Sequence, residues 1–214
     1  MKKALIVYGG WDGHEPKQTA EHMAGVLRKE GFEVEVSDTL DSFADVKKMN
    51  SLSLVSPVWT CGQMTPEQTS GLLDAVKAGV GIAGWHGGMG DAFRGNCGYE
   101  FMVGGQFVDH PDGIKEYTVN ITDHDDPITK GIKDFKVTSE QYYMHVDPSN
   151  EVLATTTFQT TAAPWVNGCV MPVIWKRMWG KGRVFYFSVG HVLKDFEIPE
   201  VTEIQKRGSL WAAR

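Results

Sequence analysis

The chain has 214 residues, 42% of them hydrophobic and 22% charged, the make-up of one globular domain with a core of its own rather than a disordered or fibrous chain. A net charge of −6 with no basic run speaks against nucleic acid as a partner, and no apolar run is long enough to span a membrane. Three cysteines, Cys61, Cys97 and Cys169, are odd in number and form no CxxC, so no disulfide framework is expected and a reducing cytoplasm fits.

The first half alternates strand and helix patterns. Ala4–Tyr8 reads as a strand and Pro16–Glu30 as a helix with Ala20, Met23, Ala24 and Leu27 on one face and Gly31 as its stop. Phe32–Ser37 is the next strand, Ser51–Val55 a third, and Ser56–Met64 a loop. Thr65-Pro66-Glu67-Gln68 opens a helix to Ala78, with Thr65 as cap, Pro66 at N1 and Gln68 closing a capping box. Val80–Ala83 follows as a strand. Such alternation predicts right-handed βαβ units and a parallel sheet. The second half is richer in strands: Glu116–Ile121, Phe135–Thr138, Glu151–Thr157, Val170–Lys176 and Val184–Val189, the last two joined by a hairpin turn at Gly180–Arg183. With no repeat or linker, residues 1–214 read as a single domain. Its predicted class is an α/β, flavodoxin-like, open and mostly parallel sheet, with helices on both faces and added antiparallel strands in the second half.

Chemistry is expected at strand ends. Val80–Ala83 runs into Gly84-Trp85-His86-Gly87-Gly88, a strand-turn-helix that resembles a nucleophile elbow. Its glycines would supply positive φ and close approach, and His86 would stand exposed at the carboxyl edge, where open α/β sheets bind ligands. His191 ends a second strand in the same way. Glu140 closes a third, in Glu140-Gln141-Tyr142-Tyr143-Met144-His145. Carboxylate and imidazole together suit acid–base work or a borderline metal. We assign His86, His191 and Glu140 to catalysis. Trp11, His14, Trp59, Trp85, His110 and Tyr142 are assigned to substrate binding, as aromatics and hydrogen-bonding groups near the same edge. Arg94 would steady the glycine-rich Gly95–Phe107 loop. His22 and His124 read as bland, and Cys97 and Cys169 as buried or neutral positions. Nothing near Cys61 would lower its pKa.

No HExxH, CxxC or His-x-His spacing marks a metal. A divalent ion such as zinc would have to be gathered by the fold from His14, His86, His110, Glu140, His145 or His191.

The ordered set Gly84–Gly88, Ala92-Phe93, Tyr99, Gly104–Phe107, His110-Pro111, Asp126–Gly131, Glu140–Tyr143, Pro148–Ala154, Gly180–Tyr186 and Gly190-His191 resembles the ThuA-like family of trehalose utilisation, from about Lys3 to Phe196. The resemblance implies the flavodoxin-like sheet of the class I glutamine amidotransferase superfamily and a role in bacterial use of trehalose or related disaccharides. His86 takes the place of that superfamily's nucleophilic cysteine, and His191 matches its triad histidine. Without a thiol there, thiolate acylation is unavailable. The leading expectation is an enzyme acting on a small-molecule carbohydrate, a sugar or keto-sugar, by acid–base or metal-assisted chemistry. The alternative is a non-catalytic sugar-binding or regulatory module on an amidotransferase-like scaffold. An amidotransferase using Cys61 or Cys97 would need one of them on an elbow, and neither is. Base rates favour a homodimer or higher homo-oligomer. The Ile198–Arg214 tail, with Leu210 and Trp211, is expected to dock on a neighbour or on its own chain.

Overall fold

Apolar strands buried on both faces need helices on both sides, and the alternating first half supplies them. The computed structural model describes residues 1–214. In chain order the elements are β1 (Lys2–Gly10), α1 (Pro16–Lys29), β2 (Phe32–Ser37), α2 (Val46–Ser51), β3 (Leu54–Thr60), α3 (Pro66–Ala78), β4 (Gly81–Trp85), α4 (His86–Gly90), α5 (Cys97–Val103), β5 (Gly105–Asp109), β6 (Ile114–Ile121), β7 (Phe135–Glu140), β8 (Tyr143–Val146), β9 (Glu151–Thr157), β10 (Val170–Trp179), β11 (Gly182–Phe187) and α6 (Pro199–Ala212). A nine-stranded sheet runs β2-β1-β3-β4-β11-β10-β9-β6-β7, with β5 and β8 paired apart from it. The β2-β1-β3-β4-β11 half is parallel, and β11, β10, β9, β6 and β7 are joined antiparallel. This is the flavodoxin-like order, with its switch point between β1 and β3.

Two apolar cores cover the sheet. Ala20, Met23, Ala24 and Leu27 of α1 share one core with Val201, Ile204 and Ala212 of α6. Leu72, Ala75 and Val76 of α3 share the other with Met49 of α2 and Tyr99, Met102 and Val103 of α5. The capping box forms as the sequence predicts, with Thr65 and Gln68 each accepting from the other's backbone N–H. The tail docks on its own chain as α6, against β4 and β11. Gly81 makes that approach possible: a Cβ there would lie 2.1 Å from the Ala212 carbonyl oxygen.

Several expectations are corrected. The third strand is Leu54–Thr60, not Ser51–Val55, and Ser51 ends α2. β3 holds Pro57 without a lost ladder bond to β4, because the β3–β4 ladder covers only Leu54 and Val55 and Pro57 lies beyond it. The glycine-rich stretch contains α5 and β5. Cys97 is exposed and Cys169 half-buried. His86 is buried, not exposed, because the second-half strands fold over the carboxyl edge above it. The positive φ at the elbow belongs to His86 itself, at +43°, and not to Gly84, Gly87 or Gly88. No helix is long and apolar enough to cross a membrane.

Candidate metal and active site

His14, His86 and His191 sit where β1, β4 and β11 end, at the carboxyl edge of the parallel half. Glu140 comes from much farther off in the sheet. The β6–β7 hairpin joins β9 only at Asn120 and Ile121, so it can leave the sheet plane and carry the end of β7 over that edge. All four side chains are buried. One ligand atom from each lies within 4.8 Å of every other.

Glu140 Oε2 is the common point. It stands 3.1 Å from His86 Nε2, 3.3 Å from His191 Nδ1 and 3.7 Å from His14 Nε2. Its other oxygen lies 3.6 Å from Nε2 of the half-buried His110. Nδ1 of His86 donates to the Ser188 carbonyl oxygen at 2.8 Å, which fixes its tautomer. Nδ1 of His14 lies 2.8 Å from Thr60 Oγ1, a hydroxyl able to donate to it or accept from it, and Nε2 faces the carboxylate. His191 Nδ1 has no hydrogen-bond partner despite its burial, since its contact with Glu140 lacks bonding geometry. A tautomer-fixed imidazole and an orphaned buried nitrogen beside one carboxylate oxygen are what a cation site needs. The nitrogen-rich set suits zinc or a neighbouring transition metal and not magnesium or calcium, which take oxygen ligands.

Burial lowers the pKa of His86 to about 4, overriding the opposing pull of Glu140. Burial would raise Glu140, but contacts from His14, His191 and His86 hold it far below the ordinary carboxylate range. Burial would lower His191, but the Glu140 carboxylate raises it above 6.5. Without a cation the centre therefore favours an ionised Glu140 and a neutral His86, and His191 keeps its proton more tightly than a free imidazole does.

The elbow is tightly built. Tyr142 stacks on the His86 ring with centroids 3.9 Å apart, and the Tyr186 hydroxyl donates to the His86 carbonyl oxygen at 3.1 Å. These contacts hold a non-glycine residue in left-handed backbone, a conformation that costs on the order of 1–3 kcal/mol. A second acidic group, Asp123, Asp126 and Glu151, is already served by the Lys176 ammonium, which contacts Asp126 and Glu151.

Residues 3–212 match the family described as Trehalose utilisation, ThuA. The chain belongs to the ThuA family. In structure it is similar to a ThuA-like protein from Bacteroides uniformis, at TM-score 0.81 and 18% identity, over 99% of this chain and 91% of that one. A ThuA-like protein from Parabacteroides merdae is similar at TM-score 0.77 and 18% identity, over 99% and 89%. A β-galactosidase from Bacillus circulans shares the fold over 95% of this chain and 30% of its own, at TM-score 0.64 and 13% identity. No curated protein sequence matches.

Within this ThuA fold, His14, His86, Glu140 and His191 converge, with His110 and Tyr142 beside them. Trp11 packs edge-on against His14, ring centroids 4.7 Å apart, and is 52% exposed. Trp59 packs half-buried beside Gly9 and Gly62. Trp85 points into the core against Phe196, with 2% exposure, because alternation along β4 sends it away from the edge; no ligand face remains to it. His145 is exposed on β8 and outside the cluster. Arg94 makes a bidentate pair with Asp91, steadying its loop. Burial and Asp91 raise the Cys61 thiol. Sequence reasoning missed Thr60, Ser188 and Asp195, which position the cluster. Thr60 and Ser188 stand at strand ends and Asp195 in the short turn after His191, but the partners they bind lie far along the chain or on its backbone.

Proposed function

We propose that this ThuA protein is a metal-dependent enzyme acting on a sugar or keto-sugar. In this reading a divalent transition metal such as zinc is held by His14 Nε2, His86 Nε2, His191 Nδ1 and Glu140 Oε2. The observation that carries it is the convergence of these four buried donors within 4.8 Å. A cation held there supplies Lewis acidity toward a carbonyl or hydroxyl oxygen. The assignment of His86, His191 and Glu140 to catalysis becomes one of metal binding, and His14 joins them.

The remaining work falls to neighbouring residues. His110, half-buried and 3.6 Å from the outer oxygen of Glu140, is placed to exchange a proton with a bound sugar. Trp11 offers a flat apolar face for a sugar ring, fixed by its packing on His14. The family's description, trehalose utilisation, supports a carbohydrate as the substrate class.

Elemental analysis of untagged protein purified without chelator tests the reading, with wild type set beside a His86→Ala/His191→Ala double variant. Near-stoichiometric metal in the wild type, absent from the variant, supports it, as does turnover of a sugar or keto-sugar panel that a chelator stops. Sugar binding without turnover in metal-free and metal-loaded protein overturns it in favour of a binding module.

A further inference from the structure

The ligands of the centre come from the parallel half of the sheet and from a hairpin that is only weakly laddered to the rest of it. His191 follows β11 in the parallel half, while Glu140 ends β7, an edge strand whose only ladder partner is β6. The β6–β7 hairpin is in turn laddered to β9 through Asn120 and Ile121 alone. Something must hold the tip of β7 against the His191 segment, since a shift of about 1 Å in one ligand is enough to degrade a metal site.

Asp195 is built for that. It is buried, and its Oδ2 accepts from Ser139 Oγ at 2.7 Å and from the His191 backbone N–H at 2.9 Å. Ser139 is the residue before Glu140. One carboxylate oxygen thus ties the chain at one ligand to the chain beside the other. Both donors are themselves buried or partly so, and charge-assisted hydrogen bonds of this kind are about twice as strong as neutral ones. Tyr117 adds a lesser brace, its hydroxyl donating to the Glu140 carbonyl oxygen at 3.1 Å, but it lies on the same hairpin and cannot join the halves. Asp195 also forms part of the wall of a cleft of about 560 Å³ between β7 and the 191–198 segment, so apolar packing across that seam is interrupted beside the link.

We propose that Asp195 is a positioning residue that clamps Glu140 and His191 into one metal-binding geometry. The proposal rests on the metal reading above. Its prediction is specific: metal affinity depends on Asp195 and Ser139 as a unit, although neither touches the metal.

The test is a double-mutant cycle on the full chain, using zinc affinity by chelator competition and the visible spectrum of the cobalt-loaded protein. Asp195→Ala and Ser139→Ala are each expected to weaken zinc binding by roughly 10–100-fold, the usual effect of losing an outer-shell partner. The double variant is expected to be no weaker than the worse single, because both remove the same link. Asp195→Asn, whose amide oxygen still accepts from both donors, is expected to stay near wild type and to keep its cobalt spectrum. Ser139→Ala is the milder change and serves if Asp195→Ala fails to fold. Wild-type affinity in both single variants overturns the clamp while leaving the metal reading intact, and so do losses that simply add. A wild-type protein that takes up neither zinc nor cobalt overturns the metal reading, and the clamp's role falls with it.

Discussion

His86 Nε2 lies 3.1 Å from Glu140 Oε2, while the opposite nitrogen of the ring is committed as a donor to the Ser188 carbonyl. A neutral His86 with its proton on Nδ1 therefore presents a lone pair to a carboxylate. Two acceptors face each other in a buried site, which is unfavourable unless a proton or a cation lies between them. Burial works against the extra proton on His86, and in the proposed reading a metal ion takes its place.

Glu140→Gln separates these two solutions. The amide N–H₂ can donate to His86 Nε2, so the metal-free fold keeps its melting temperature within a few degrees. The anionic ligand is gone, and zinc no longer raises that temperature. In the wild type, a site-specific metal at about a hundred times its Kd adds about 2.7 kcal/mol of stability, which a chelator removes. Thermal melts with zinc, with chelator and with neither read both effects; an equal zinc-induced rise in both proteins would sink the assignment.

Proton release on metal binding follows from the centre's charge state. The raised pKa of His191 means that the metal-free protein keeps a proton there to higher pH than a free imidazole would, and a metal must displace it. Affinity then falls as pH drops through that raised value. His86 contributes no such loss until about pH 4, where its lowered pKa lies. The two histidines have opposite effects on the stability of the metal-free protein. The raised pKa of His191 gives stability that is fully present below 6.5 and is lost as pH rises through the folded value. His86, held neutral, costs stability as pH falls from 6.5 toward about 4, because the unfolded chain takes up its proton first. Calorimetric titration of zinc in buffers of differing ionisation enthalpy counts the protons. Proton release that is largest on the acid side and declines in alkali is the expected outcome.

Local patterns made the parallel half legible. The α1 face, the Thr65–Gln68 capping box and the span of β2 follow from short-range rules, and so does the strand-end placement of His86 and His191. Glu140 was visible as a strand-end carboxylate, but its approach to His86 depends on how far the β6–β7 hairpin leaves the sheet, which no spacing encodes. The exposure expected of His86 failed for the same reason. Pro57 hid the true extent of β3, since a proline usually marks a strand's end or edge. The α6 signal was present, with Pro199 at N1 and Val201, Ile204, Gly208 and Ala212 on one face. Gly208 weakened it, being a poor helix former that is needed where the helix lies against Phe185.

Gly87→Ala tests how closely the elbow and the β1 loop are fitted. A Cβ at Gly87 would come within 2.5 Å of His14 Cε1 and 2.9 Å of the Tyr142 hydroxyl. The backbone there needs no positive φ, so the helix itself tolerates alanine. The expected result is a folded protein in which His14 is pushed from the cluster and zinc affinity drops by roughly tenfold or more, as for a displaced ligand partner. Unchanged affinity by chelator competition would mean that His14 is not a ligand.

Lys176 supplies a control remote from the site. Its ammonium contacts Asp126, which is buried and also accepts from the Ile128 N–H at 2.8 Å, and it lies 3.0 Å from the exposed Glu151. The carboxylates raise the Lys176 pKa despite burial, so the lysine is charged throughout the neutral range. Lys176→Met leaves the Asp126 carboxylate buried without its counter-charge, and breaking such a pair costs about 3–5 kcal/mol. Lys176→Met/Asp126→Asn removes both charges while the asparagine oxygen still accepts from Ile128, so the double variant recovers much of that loss. Urea denaturation measures the order of stability, wild type above the double variant above Lys176→Met. Zinc affinity stays at the wild-type value in both, because neither residue borders the His14, His86, Glu140 and His191 cluster. A single variant as stable as the wild type would show that the ion pair is solvated and that the methionine packs equally well in its place.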